Sequence, residues 1–303
     1  MSYTKKLHKK GLINAANYVT KQLQYEVIMG SFAYGCSSDM SDTDIYGFCI
    51  PPKAIVFPHT NPNYVHGFDP IPDNFEQFQT KESIIDISYE PHRKYDVAIY
   101  NIVKYFRLCA EGNPNMIDSL FVPNRCITYM TPIGELVRQN RHLFLSKKCW
   151  HTFKGYAYSQ IHKMNIKVPE EGTNRAESVR KFGYDVKFAY HLVRLLDEIE
   201  QILSTGDLDI ERNREQLKAV RRGEWPYEKV REYFDWKEKS LEQLAVDTKK
   251  IPHKPPWDKI RDLLFKCLEM HWQNLDGCRP KENVSSEMYH AIMNTLNRFE
   301  GKI

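Results

Sequence analysis

Apolar positions in the first third of the chain recur mostly at every second residue. Tyr25-Glu26-Val27-Ile28-Met29 is a short β-branched run ended by Gly30-Ser31, and Ile45-Tyr46-Gly47-Phe48-Cys49-Ile50 is a second, stopped by Pro51-Pro52. Ile84 to Tyr89 and Tyr95 to Ile99 alternate in the same way, with Pro91-His92-Arg93-Lys94 as their connection. A mixed polar and apolar segment, Lys9 to Leu23, predicts a helix before the first strand. The Pro- and Asn-rich stretch from Pro58 to Asn74 predicts a loop.

From Tyr100 the period lengthens to that of a helix. Ile102, Val103, Phe106 and Ala110 line one face until Gly112-Asn113-Pro114 stops one helix and starts the next. Beyond it the spacing predicts helices over 132–143, 148–165, 176–204, 211–222, 227–249, 257–273 and 285–299, with breaks at Val168-Pro169, Gly206, Gly223 to Pro226 and Ile251 to Pro256. The pattern therefore predicts an α+β protein, a small mixed sheet in residues 1–128 followed by an all-helical part in 129–303.

Composition excludes several classes. Aromatic residues at 13% and a nearly balanced 43 basic against 39 acidic groups are unlike a disordered chain. No run reaches the roughly eighteen apolar residues of a membrane helix, and Lys5, Lys6, Lys9 and Lys10 lead into no signal-peptide core, so a cytoplasmic protein without a membrane partner is expected. The seven cysteines (Cys36, Cys49, Cys109, Cys126, Cys149, Cys267 and Cys278) are scattered and never spaced as CxxC, which points to reduced thiols rather than a zinc knuckle. Charge is unevenly spread: residues 31–90 hold two lysines against nine carboxylates, and residues 91–180 hold fourteen Lys or Arg against seven. An acidic segment beside a basic one suits metal ligands beside a polyanion track.

The most informative segment runs from Gly30-Ser31 to Asp42-Thr43-Asp44-Ile45. A strand delivers a Gly-Ser turn whose amides can open toward an anion, and the next strand begins with two aspartates one residue apart, on one face. Side-by-side carboxylates repel unless a cation sits between them, and a hard divalent ion with oxygen ligands meets that need.

Gly-Ser, ten intervening residues, then Asp-x-Asp entering a β-run resembles the signature of the DNA polymerase beta superfamily of nucleotidyltransferases. A second block, Tyr95-Asp96-Val97-Ala98-Ile99-Tyr100 through Glu111-Gly112-Asn113-Pro114, resembles its RNA-repair-associated branch, RlaP. Later matches at Gly155-Tyr156-Ala157 with Gln160 and Lys163, and at Lys187 to Leu195, extend the resemblance over roughly residues 25–255. The resemblance implies that residues 1–128 form the catalytic domain and 129–303 a helical domain binding nucleotide or substrate. It implies that Asp42 and Asp44 bind two Mg²⁺ (or Mn²⁺), that Asp96 is the third metal-binding and catalytic carboxylate, and that Gly30 and Ser31 hold the triphosphate. Asp86, which also alternates with apolar neighbours, is the alternative third ligand.

Lys187, His191 and Arg194 fall at i, i+4 and i+7 and share a helical face suited to nucleotide phosphates. Tyr156, Gln160 and Lys163 share another, a substrate-binding candidate on which a base could stack. Lys147-Lys148 and Arg138 to Arg141 offer charge that a polynucleotide backbone could follow. With these features the resemblance implies an Mg²⁺-dependent transfer of a nucleoside monophosphate from an NTP such as ATP to an acceptor hydroxyl, with pyrophosphate released. Because the resembled branch is linked to RNA repair, it implies a tRNA-like RNA 3′ end as the acceptor. The alternatives are toxin-like nucleotidylation of a protein or small molecule, and a catalytically inactive RNA- or nucleotide-binding adaptor. Base preference, templating and oligomeric state leave no mark in the sequence.

Overall fold

The structure, a computed structural model, describes residues 2–37, 41–57, 75–166, 170–274, 288 and 291–295. The loop expected from Pro58 to Asn74, the Val168-Pro169 break, Cys278 and most of the helix expected over 285–299 lie outside the described residues; 291–295 are helical.

The expected α+β architecture is present. Six strands, β1 (Leu23–Ile28), β2 (Thr43–Cys49), β3 (Gln77–Gln79), β4 (Ile84–Asp86), β5 (Arg93–Asn101) and β6 (Ile127–Met130), form one mixed sheet. Its order is β3-β5-β2-β1-β6, with β4 also paired to β5. Among the described residues only β2 and β5 run parallel. The helices are α1 (Tyr3–Lys9), α2 (Asn17–Lys21), α3 (Gly30–Ala33), α4 (Lys53–Val56), α5 (Ile102–Ala110), α6 (Pro114–Phe121), α7 (Pro132–Gln139), α8 (Lys148–Ile166), α9 (Asn174–Phe182), α10 (Val186–Thr205), α11 (Arg214–Arg221), α12 (Tyr227–Asp247) and α13 (Trp257–Trp272). No helix among the described residues is long and apolar enough to cross a membrane.

The chain falls into two compact units, Met1–Pro51 with Glu76–His271, and Pro52–Phe75 with Trp272–Ile303. The change from strands to helices near residue 128 thus lies inside the first unit. In the second, the Phe57 ring meets Trp272 with centroids 5.5 Å apart, and Lys53 Nζ donates to Asn274 Oδ1 at 3.3 Å.

Several elements differ from the pattern, for local reasons. The helix expected over Lys9 to Leu23 is two short ones, α1 and α2, because Ser2 starts the first six residues earlier than the periodicity showed and the chain turns at Gly11. The helix expected over 176–204 is broken: Gly183, at φ +80°, closes α9 in a left-handed cap, and the Asp185 carboxylate then accepts from Lys187 N to open α10. The run Ile84 to Tyr89 shrinks to three residues as β4, while β3 and β6 pair where no alternation announced them.

On one face of the sheet Tyr25, Phe48 and Tyr105 stack with centroids 4.9 to 5.8 Å apart, and the Tyr25 hydroxyl donates to Ser119 O at 2.9 Å. The other face holds a buried acid. Glu26, fully buried in β1, accepts from Ser2 Oγ, Tyr3 N, Thr4 N and Thr128 Oγ1. Its carboxylate serves the open amides at the start of α1 and ties that helix to the sheet. Glu26→Ala orphans these donors and is expected to cost about 2–3 kcal/mol of unfolding free energy by urea titration, with Glu26→Gln costing less.

Candidate active site

β2 and β5 pair in parallel with Asp44 opposite Asp96, so both side chains leave the sheet on one face. Asp42, just ahead of β2, lines the same cleft. Met29 N donates to Asp44 O at 2.7 Å, which carries the β1–β2 pairing up to the turn. The chain then bends at Gly30, φ +64°, into the single turn of α3. A Cβ at position 30 would lie 1.9 Å from Asp44 Oδ2, so only glycine lets the carboxylate pack onto the turn.

Among the described residues no side chain hydrogen-bonds or ion-pairs with the carboxylates of Asp44 or Asp96. Burial first, and then the charge of Asp96, push the Asp44 carboxyl up to about 6, with Lys187 pulling the other way. This is a donor set of hard oxygens whose burial and repulsion outweigh the pull of Lys187, which fits a divalent cation. No group of three or more His, Cys, Asp or Glu side chains among the described residues forms a ready-made cage. Mg²⁺ does not require one, since it is usually held by one or two carboxylates together with waters and substrate phosphates.

Asp86 sits elsewhere. It pairs with Arg93 in the β4–β5 ladder, an odd step from Asp96 and therefore on the opposite face. Lys10 Nζ at 2.7 Å and the Ser88 hydroxyl hold it, pulling its carboxyl down to about 2.

The carboxylates open into a cleft of about 760 Å³ whose far wall is built by α9, α10 and α11. Gly30, Ser31, Lys187, His191 and Arg194 all line it, together with Asp42, Asp44 and Asp96. On the α10 face expected to be cationic, only Lys187 offers charge that no acid among the described residues neutralises. Lys187 is exposed, with no carboxylate in ion-pair range among the described residues. His191 is neutral, because burial, with the charges of Arg194, Lys187, Arg175 and Arg221, holds its imidazole well below its ordinary pKa. Arg194, 5% exposed, is committed to Asp118 and Glu198 and donates to the Tyr34 hydroxyl at 2.7 Å.

Tyr156, Gln160 and Lys163 do not line the cleft. Their faces are half-buried or exposed on α8, and the Tyr156 hydroxyl accepts from Asn113 Nδ2 at 3.1 Å. The cleft also contains residues the sequence did not single out. Arg221 donates to Cys36 O at 2.7 Å beneath the Tyr190 ring, and Arg175 pairs with Asp185 at 3.0 Å. Their only sequence signal is their place in helices rich in other Arg and Lys, which does not distinguish them.

A Gly-Ser turn that opens α3 just after β1, facing aspartates on two parallel strands and closed over by helices, is the architecture implied by the polymerase-beta class of nucleotidyltransferases. The chain belongs to the RlaP family, the RNA repair pathway DNA polymerase beta family, which it matches over residues 6–266. It is also similar to an uncharacterized 38.9 kDa protein of the nrdC-mobD intergenic region of Enterobacteria phage T4, with 23% identity over 140 residues, 46% of this chain and 37% of that protein. The chain thus spans little more than a third of that curated relative's length.

Proposed function

We propose that the chain moves a nucleoside monophosphate from a nucleoside triphosphate to a hydroxyl, with an RNA 3′ end as the acceptor. The carrying observation is the register match of Asp44 with Asp96 beside the Gly30-Ser31 turn: two adjacent carboxylates with no side-chain partner among the described residues, next to a turn that can receive phosphate. The RNA acceptor is supported by the family's description. In the reaction the acceptor hydroxyl gives up its proton to solvent, its oxygen bonds to the α-phosphorus, the bond from that phosphorus to the bridging oxygen breaks, and pyrophosphate leaves with the electron pair. Two Mg²⁺, or Mn²⁺ in their place, held by Asp42, Asp44 and Asp96 would supply Lewis acidity to the attacking hydroxyl and offset charge on the pyrophosphate.

The chain's own groups position the substrate. The amides of Gly30 and Ser31 and the Ser31 hydroxyl offer donors to the phosphates, and Lys187 adds a point charge. His191, as a neutral imidazole, donates one N–H to a phosphate or sugar oxygen. Arg194 acts at one remove, by holding Tyr34 at the end of the turn.

The chain incubated with α-labelled NTPs, Mg²⁺ and, in turn, tRNA, bulk RNA and protein is expected to label RNA 3′ ends and release pyrophosphate. Label confined to protein or a small molecule would transfer the acceptor assignment there. A calorimetric titration showing no Mg²⁺-dependent NTP binding would instead favour a non-catalytic adaptor.

A further inference from the structure

Of the basic clusters that the sequence offers to a polynucleotide, Arg138, Arg141 and Lys147 are spent on the fold, and Lys148 is exposed. Arg138 donates to the carbonyls of Leu120 and Val122, and Lys147 donates to Val246 O at 2.8 Å. Unspent charge gathers elsewhere, on α1 and the β4–β5 hairpin. Lys5 Nζ lies 3.8 Å above the Tyr129 ring of β6, Tyr3 stacks on Tyr95 of β5 at 5.7 Å, and Lys10 reaches Asp86 of β4. Helix α1 therefore crosses the sheet from β6 to the hairpin. There Lys10 and Arg93 both lie over Tyr89, at 5.1 and 4.4 Å.

Lys10 apart, these cations meet no neutralising acid among the described residues. Among the described residues Lys5, Lys6, Lys9, Arg93 and Lys94 form no ion pair, and Glu82 and Glu90 of the hairpin pair with none of them. Cations interleaved with aromatic rings suit a single nucleic-acid strand, whose phosphates meet the charges and whose bases meet the rings. The hairpin adds exposed apolar surface at Ile85, Ile87 and Tyr89.

The patch also ends where an acceptor must arrive. Arg93 and Lys94 begin β5, and Asp96 follows two residues after Lys94. Alternation puts Arg93 on the α1 face and Lys94 on the cleft face, about 7 Å along the strand from Asp96. The start of β5 thus carries positive charge around the end of the sheet to the lip of the cleft.

We infer that α1 and the β4–β5 hairpin form the track for a single-stranded polynucleotide acceptor, with Tyr89 as a stacking platform and Lys94 guiding the strand end to Asp96. The end point of this track rests on the nucleotidyl-transfer reading; the binding surface does not.

The test compares the full chain with the exposed-charge variant Lys6→Glu/Lys9→Glu/Arg93→Glu/Lys94→Glu, using fluorescence anisotropy with labelled oligouridylate over a range of salt. The variant is expected to lose affinity at least about tenfold and to show a log K against log salt slope shallower by about 2–3, as expected when four phosphate contacts on a single strand are removed. Its thermal melting and its Mg²⁺-NTP affinity are expected to match the parent, and polyglutamate is expected to compete poorly. Unchanged oligouridylate affinity, or displacement by polyglutamate as readily as by RNA, would overturn the track. A parent chain that binds oligouridylate through these charges but transfers no nucleotide would overturn the catalytic reading alone.

Discussion

Arg194→Met is expected to lower the unfolding free energy by about 3–5 kcal/mol, the scale for removing one partner of a buried ion pair. Arg194 joins three parts of the chain. From α10 its guanidinium donates to Asp118 of α6, to the Tyr34 hydroxyl at the end of the Gly30-Ser31 turn, and to Glu198 one helical turn on at 3.1 Å. The Tyr34 hydroxyl in turn donates to Asp118 Oδ2 at 2.7 Å, and the guanidinium lies 4.5 Å from the Tyr34 ring centroid. Burial already pushes both carboxyls up, Glu198 further, and the guanidinium is what restrains them. Methionine fills the space but strands two buried acids. Lysine keeps the charge without the planar fork and is expected to rescue only in part. Adding Asp118→Asn and Glu198→Gln to Arg194→Met removes the stranded charges and should recover most of the loss, a non-additivity that distinguishes electrostatic stranding from lost packing. Urea titration at neutral pH reads each variant, and a loss below about 1 kcal/mol for Arg194→Met would place its energetics with surface pairs.

This network explains why the α10 face expected to meet nucleotide was only partly legible in the sequence. The i, i+4, i+7 spacing of Lys187, His191 and Arg194 does place all three on the cleft side. Spacing carries no information on depth, and depth decides the chemistry: Lys187 is exposed, His191 is discharged by burial, and Arg194 answers to Asp118, 76 residues away, and Tyr34, 160 away. Long-range partners of that kind leave no local trace. The β1, β2 and β5 strands were legible because β-branched alternation is a strong short-range signal, and so were the Gly30 turn and the two-residue step from Asp42 to Asp44. Choosing between Asp86 and Asp96 required the register, because both sit among apolar neighbours and only pairing shows that they leave opposite faces. Strands β3 and β6, three and four residues long, were not legible, since they owe their pairing to the strands beside them. The break at Gly183 was hidden because apolar residues on both sides keep a helical period across it.

Asp44→Asn is expected to stabilise the cation-free protein while reducing nucleotidyl transfer by about a thousandfold or more. The two effects share one cause. The folded state raises the Asp44 carboxyl from 3.8 to about 6, so between those values it holds a proton that the unfolded chain releases. The stability this proton confers is complete below pH about 4 and is lost as pH rises through about 6. Above that, the folded chain carries a carboxylate that burial and Asp96 both disfavour, a penalty of up to about 3 kcal/mol for a shift of this size. Asparagine cannot ionise, so the variant should melt higher than its parent at pH 7–8, and the gap should close toward pH 4. Mg²⁺ with NTP should reverse the ranking, raising the melting temperature of the parent and leaving the variant nearly unmoved, because a ligand stabilises only the state that binds it. Asp96→Asn should repeat the loss of transfer with a smaller gain in stability, since Asp44 is the carboxylate that packs against Gly30. A variant that transfers nucleotide at the parent's rate, or that melts lower than the parent at neutral pH without cation, would show that the protein does not hold this charge against its own stability in order to bind a metal.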